Sequence, residues 1–454
     1  MKNEMLLRNE KIKKVLFKMS MPAIIGMMVN SLYNIIDTIF VGQGVGALGI
    51  AGVTIIMPIQ MIMMGIAQMI GIGSASMLSR NLGAKKYDKV NHIAGNAFFM
   101  LIIIGIFLSV IGVTFIDQIV SLFGATENIF PYALEYGKII AIGAVIFPIS
   151  ITANNLLRAE GNAKEAMFAM IIGLVSNIIL DYVFIFIFDM GVAGAAWATV
   201  IARFFSIIYL VYYFKSSKTR IKLKLEHLKP EKEIISEVLK VGVSSFTRNS
   251  TGSIILVFMN RLLAFYGGDM AIATYGIGMK IMMFVMMPIF GLVQGMQTIA
   301  GYNYGAKKYG RVIEVVKMTM LVAVIMTSLG VGLVELFPIE ILRLFTKNQE
   351  LLISGKKAIR IIIIILPLVG IGITGSAYTQ SLGKAKAALI FSLLREVFLF
   401  LPMLIIFPRI FGLNGIWMSF PISDLGSVII IGIYLFYEMK KLREMERLQK
   451  SEVI

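Results

Sequence analysis

The chain of 454 residues has no cysteine, two histidines, two tryptophans and few charges, 15% against 58% hydrophobic residues. Without cysteine there are no disulfides, no thiolate metal ligands and no cysteine nucleophile. The two histidines, His92 and His227, fall at or in basic loops, and neither position points to a ligand or a general base. The scarcity of charge has a larger consequence. At a mean hydropathy of +0.84 the chain carries more apolar surface than a soluble domain buries, so it reads as a polytopic membrane protein. Acids are the scarcer sign, 26 against 43 basic residues, for a net charge of +17. The basic residues sit in short clusters between apolar runs, as the positive-inside rule expects, so no nucleic-acid partner is expected. A secretory signal pattern is missing as well. The first apolar run is too long, contains Asp37 and lacks a small-residue cleavage site, and it is kept as a membrane span.

About 20 apolar residues cross a bilayer. The runs predict helices near 15–41, 47–78, 92–116, 132–157, 164–188 and 191–214, then near 234–264, 270–302, 313–336, 352–382, 386–408 and 413–437. The expected fold is an all-α polytopic membrane protein with twelve transmembrane helices. Basic clusters at 11–18, 80–89, 215–232, 307–311, 384–386 and 440–447 all fall on one side of that topology. Both termini are therefore expected in the cytoplasm, in a multi-pass protein of the cell inner membrane. The connections at 42–46 and 189–190 carry no Lys or Arg, as outer loops should. One loop disobeys. The connection 337–358 holds Arg343, Lys347, Lys356 and Lys357 on the expected outside, and reads as an amphipathic piece lying on the membrane surface.

An internal repeat organises the chain. Gly83-Ala-Lys-Lys-Tyr-Asp-Lys-Val returns as Gly305-Ala-Lys-Lys-Tyr-Gly-Arg-Val, and Gly161-Asn-Ala-Lys as Gly383-Lys-Ala-Lys, both at a shift of 222. Gly191 and Gly194 match Gly412 and Gly415 at 221, and Trp197 lies near Trp417. Each half holds an even number of spans, so the repeat is parallel, with its axis along the membrane normal. The expectation is two pseudo-symmetric six-helix bundles, 1–222 and 223–454, a scaffold suited to alternating access. The basic link at 215–233, with Pro230, joins them. It can equally be a solvated tether, and nothing in it points to a ligand.

The chemistry concentrates in the first half. In the stretch Pro22 to Asp37, the residues Asn30, Asn34 and Asp37 share one helical stripe. A bare carboxylate at bilayer depth costs roughly 2.5–3.5 kcal/mol even on a mild scale, so it should face a protein-lined cavity. Pro22 removes a backbone donor and predicts a kink. A purely structural reading, in which Asp37 pairs with a neighbour in a kinked helix, stands beside the functional one. Asn177 and Asp181 lie four apart on one face, and Asn154, Asn155 and Thr199 add further polar groups. The repeat serves as a control. The counterparts of Asp37 and Asp181 at a shift of 222 are Met259 and Met403, whereas acids needed merely to hold a six-helix half together are expected in both copies, so the asymmetry favours a functional role. Buried acids of this kind can exchange protons, while carboxylate, amide and hydroxyl oxygens together form the hard ligand set that suits Na⁺. In the second half Lys280, Arg395, Glu396 and Asp424 lie in predicted spans, and the last three read as a structural ion-pair set. Arg248 sits in the polar run SSFTRNSTGS. Methionine is abundant, 31 residues, and flexible thioethers suit a pocket that repacks around varied ligands. Met61, Met64 and Met286, with Asn30 and Asn34, are the candidates for such a pocket.

These features together resemble the multidrug and toxic compound extrusion (MATE) family. The likeness runs over the whole length: Pro22 and Asp37 in the first span, SRNLGAKKYDKV, NNLLRAEGNAK, SNIILDYVFIF, and PIFGLVQGMQTIAGYNYGAKKYG in the second half. The resemblance implies a V-shaped pair of six-helix bundles exporting amphiphilic, often cationic compounds in exchange for H⁺ or Na⁺. It implies a first-lobe cation site of Asp37, Asn154, Asn177, Asp181 and Thr199, with Na⁺ as the metal on Asp37, Asp181 and Asn177 if Na⁺ couples, and Pro22 as the bend that responds. It implies no cofactor, no enzyme activity, and a monomer whose partners are its substrates and membrane lipids. Relatives with acids in the seventh and tenth spans are not matched here, since those spans lack a mid-span acid. A flippase for a lipid or lipid-linked precursor is the alternative within the same superfamily. An intramembrane aspartyl protease would need a GxGD signature, which Tyr266-Gly267-Gly268-Asp269 does not supply.

Overall fold

The computed structural model describes residues 2–346 and 348–451, apart from the side chains at 2–4, 34, 47, 253 and 257. Lys347 thus lies outside the described residues. No strand occurs among them. That is what hydrocarbon demands, because only a helix pairs every backbone polar group within the segment that crosses. Nine helices among the described residues are long and apolar enough to span, and eleven if each of two bent pairs counts as one. The bent pairs are Phe130–Ile142 with Ile146–Ala159, at 50°, and Gln349–Ile363 with Leu366–Ser381, at 46°. The helical run Lys232–Gly305 would be about 110 Å long if straight, far beyond one crossing. Gly268, at φ 61 and ψ −161, interrupts it. The expected count of twelve depends on dividing the run there.

The repeat is visible in the backbone. Left-handed residues come in pairs at the sequence offset: Gly46 (φ 90) with Gly268 (61), Lys85 (60) with Lys307 (56), Gly161 (92) with Gly383 (73), and Gly191 (56) with Gly412 (57). Glycine accepts such turns without a Cβ clash. The recurring GAKKY stretch is thus a turn that closes one helix and opens the next. Its second lysine-bearing position, Lys86 or Lys308, opens the following helix in both copies.

The chain divides into two compact units, Met1–Met5 with Ile25–Phe246 and Leu6–Ile24 with Thr247–Ile454. The two crossing points, after 24 and after 246, are themselves 222 apart. Each repeat therefore gives its opening segment to the unit built from the other. The exchange rests on small residues. In the first unit a Cβ on Gly73 would stand 2.1 Å from Val238 O, and one on Gly242 would stand 1.8 Å from Met69 O. In the second, a Cβ on Gly295 would stand 2.3 Å from Ser20 Oγ, and Ser20 donates to Leu292 O at 3.1 Å. The helix Ile12–Gly44 stays helical through Pro22, which lies two residues before the first crossing point.

The link at 215–233 is docked on the first unit and is not a solvated tether. Asn91 Oδ1 accepts from Lys222 N at 2.8 Å, and Asn96 Oδ1 accepts from Glu231 N at 2.7 Å. Asn96 Nδ2 also donates to Lys229 O at 3.1 Å. A Cβ on Gly95 would stand 2.1 Å from His227 O, so the link rests on helix backbone. Glu160, just past the span ending at Ala159, accepts from Thr219 Oγ1, from Arg220 N and from Asn162 Nδ2. Burial pushes its carboxyl above the usual range, and those hydrogen bonds pull it back. The region 337–358 resolves into a short helix, Pro338–Arg343, and the first arm of a bent pair, Gln349–Ile363. Asn348 caps that arm, accepting from Glu350 N at 2.9 Å and Leu351 N at 3.3 Å. Lys356 and Lys357 ride on this amphipathic arm, whose Leu351, Leu352, Ala358 and Ile359 are buried.

A candidate cation site in the first unit

Three helices of the first unit each contribute two polar residues one turn apart. Tyr33 and Asp37 lie on Ile12–Gly44, Asn177 and Asp181 on Ala163–Asp181, and Thr199 and Arg203 on Gly191–Lys215. The i, i+4 spacing puts each pair on a single face. Asp181 ends its α-helix, and the next residues, Tyr182–Ile187, form a π-turn. Such turns shift the helical register beyond them and often occur at functional sites.

The pairs converge. Tyr33 Oη donates to Thr199 Oγ1 at 2.9 Å. The Arg203 guanidinium stands 5.1 Å from the ring centroids of both Tyr33 and Phe147, a cation–π sandwich. Asp37, Asp181 and Arg203 all interact electrostatically with Tyr33, and Asp37 with Asp181. A cavity of about 20 Å³, lined by residues including Gln60, Phe147, Thr199 and Arg203, lies beside them and is large enough for one water.

The site keeps a surplus of open hydrogen-bonding capacity. Asn177 and Asp181 are 0% exposed and Asp37 9%. Oδ1 of Asp37 and Nε of Arg203 are buried without a hydrogen-bond partner, and the buried carboxylate of Asp181 has the side-chain amide of Asn177, one turn before it, as its neighbour and no basic side chain in ion-pair contact among the described residues. Buried polar groups are almost always paired, so such a site needs an occupant. The lone pairs gathered here belong to carboxylate and amide oxygens, which fit a proton or a hard cation and do not fit a soft metal.

Other residues singled out in the sequence are more dispersed. Asn154 is buried in the same unit, but its Nδ2 donates along its own helix to Ser150 O at 2.9 Å and its Oδ1 has no partner. Asn155 instead accepts from Arg158. Asn30 is half-buried with a partner of its own, and the side chain of Asn34 lies outside the described residues. Met61 and Met64 are exposed on the first unit, whereas Met286 is packed into the second, so neither unit gathers the three into one pocket. Sequence reading missed Tyr33 and Arg203. Each stands one turn from a residue it did name, and an arginine in the middle of the sixth apolar run was itself the signal.

In the second unit Arg395 pairs with both Asp424 and Glu396. Arg248 lies within electrostatic reach of Glu396. Asp424 occupies the position that Arg203 holds in the first half, at the shift of 221 set by Gly191 and Gly412.

A family model described as MatE matches residues 22–183 and 241–405. The chain is 30% identical over 432 residues to the multidrug export protein MepA of Staphylococcus aureus strain MSSA476, covering 93% of this chain and 94% of that one. It is 28% identical over 426 residues to MepA of Staphylococcus saprophyticus, again covering 93% and 94%. Among solved structures, one described as MATE in the bent conformation superposes with a TM-score of 0.92 at 27% identity, covering 98% of this chain and 99% of that one. An outward-facing multidrug resistance MATE transporter also gives a TM-score of 0.92 at 27% identity, with coverage of 98% and 99%.

Proposed function

This chain belongs to the MatE family, multi-pass membrane proteins of multidrug efflux, and from that premise we propose that it is a cation-coupled antiporter, with H⁺ or Na⁺ entering as amphiphilic or cationic organic compounds leave. The observation that supports this reading is the cluster of buried oxygens on Asp37, Asn177 and Asp181, which no basic side chain neutralises in an ion pair among the described residues. A structural ion pair would have used those lone pairs. A transient cation leaves them open.

In the state open to the outside, Asp37 and Asp181 take up the coupling ion, and Asn177 and Thr199 help to hold it. The ion changes charge and hydrogen bonding around Tyr33 and Asp37, on the helix that crosses between units two residues after Pro22. That rearrangement weakens the hold on the organic compound, which leaves outward. The energy is adequate, since one charge crossing 100 mV yields about 2.3 kcal/mol and one pH unit about 1.4 kcal/mol. The protein works as a monomer in a cell inner membrane, with both termini cytoplasmic, as its basic clusters indicate.

The experiment is transport of a fluorescent cationic dye in proteoliposomes, with a Na⁺ gradient and a pH gradient imposed separately. Efflux driven by one gradient names the ion. Dye movement under neither gradient, from folded protein, removes this reading.

A further inference from the structure

The only two histidines of the chain meet. His92 lies in the first turns of the helix Tyr87–Thr114, and His227 lies in the short 3₁₀ turn Leu225–Leu228 of the link. Their rings pack edge to face with centroids 4.8 Å apart. Asp88, one turn before His92 on the same helix, completes a trio in which one ligand atom from each residue lies within 4.8 Å of the other two. All three belong to the first unit, at the end of the helix that the basic clusters assign to the cytoplasm.

We propose that Asp88, His92 and His227 form a binding site for a divalent transition metal ion of the Zn²⁺ class, which ties the link to the helix Tyr87–Thr114. Two imidazoles and a carboxylate are a borderline nitrogen and oxygen set, which suits Zn²⁺, Ni²⁺ or Cu²⁺ and disfavours Mg²⁺ and Ca²⁺. The i, i+4 spacing of Asp88 and His92 presents both from one helical face. Glu231 pairs with His92 and adds a negative charge beside the trio, which favours a bound dication. Glu226 lies 3.7 Å from Nε2 of His227 and offsets further positive charge. The scaffold is built independently of the ion. Asn91, Asn96 and Gly95 already hold the link in place, and His227 is 4% exposed.

Ligand atoms around bound zinc stand closer together than 4.8 Å, because each bond is about 2.0–2.2 Å long, so the ion draws the trio inward. His227 must also change its hydrogen bonding. Its Nδ1 accepts from Lys224 N at 3.1 Å, and a ring that ligates through Nε2 carries its proton on Nδ1. Binding therefore rearranges the turn Leu225–Leu228, and this gives a readout besides affinity.

The test uses the full chain in detergent with any polyhistidine tag removed, titrated with Zn²⁺ alone by calorimetry and probed by trypsin at Lys222 and Lys224. The expected result is saturable binding of one ion per chain with slower cleavage of the link. Asp88→Asn, at an exposed position, should weaken binding roughly tenfold or more. His92→Gln should remove saturable binding. No saturable one-to-one binding, binding unchanged in both variants, or displacement by excess Mg²⁺ would each overturn the assignment. Dye transport plays no part in these readouts, so the site stands or falls apart from the antiport mechanism.

Discussion

In the second unit Arg395 engages both Asp424 and Glu396 directly, whereas in the first unit the buried acids Asp37 and Asp181 have no basic side chain in ion-pair contact among the described residues. The two units come from one repeat, so the helical plan is common to both and cannot explain the difference. At one matched position the sign is exchanged, with Arg203 in the helix Gly191–Lys215 where the helix Leu413–Ser451 has Asp424. Charges that satisfy one another are part of a frame. Charges left unsatisfied at a cost imply that something else visits them.

The sharpest way to break this contrast is to neutralise the acids of the first unit. Asp37→Asn and Asp181→Asn should each abolish gradient-driven dye efflux while thermal stability stays the same or rises, because an unpaired buried charge is removed. Efflux against a gradient in both variants, at normal insertion levels, would sink the coupling assignment. The mirror experiment belongs to the second unit. Arg395→Ala strands two carboxylates and should cost about 3–5 kcal/mol of stability, read as a lower melting temperature. Replacing Arg395, Glu396 and Asp424 together by apolar residues of similar volume should restore most of it, and a transport defect in that folded triple variant would show the set to be more than structural.

A smaller effect sharpens the comparison within the first unit. Arg203 acts on Tyr33 together with both acids, so its charge opposes a cation bound there; as a scale, a like charge at about 10 Å and an effective dielectric near 20 is worth roughly tenfold in affinity. Arg203→Gln should accordingly tighten coupling-ion binding about tenfold, measured as the half-saturating Na⁺ or H⁺ concentration. Weaker binding would mean that Arg203 holds the site together through Tyr33 and Phe147. The least effect is expected at the link. Asn96→Ala removes hydrogen bonds to Lys229 and Glu231 and should cost about 1–3 kcal/mol locally, seen as faster trypsin cleavage there with efflux nearly unchanged.

Much of the frame was legible in the residues. Apolar runs located the helices, and the Gly83 and Gly305 motifs exposed a repeat that the backbone echoes in its left-handed turns at Lys85 and Lys307. Asp37 and Asp181 could be singled out because an acid in an apolar run is costly. Contacts between segments distant along the chain could not be read. Asn91 and Asn96 look like ordinary polar residues at a helix start until Lys222 and Glu231 are seen against them. His92 and His227 meant little apart. The exchange of opening segments at Ile24 and Phe246 is carried by glycines such as Gly73 and Gly242, whose role is only a missing Cβ. Tyr33 escaped because an aromatic residue in a span is commonplace until its hydroxyl finds Thr199.

The most direct test of competition at the first-unit site is ion release. Purified protein is equilibrated with H⁺ in weak buffer, or with labelled Na⁺, and a transported dye is added in the absence of any gradient. Release of the ion by the wild-type chain, and none from Asp181→Asn, is the expected result. Dye binding without ion release, or equal release from Asp181→Asn, would contradict the assignment of the coupling ion to Asp37 and Asp181.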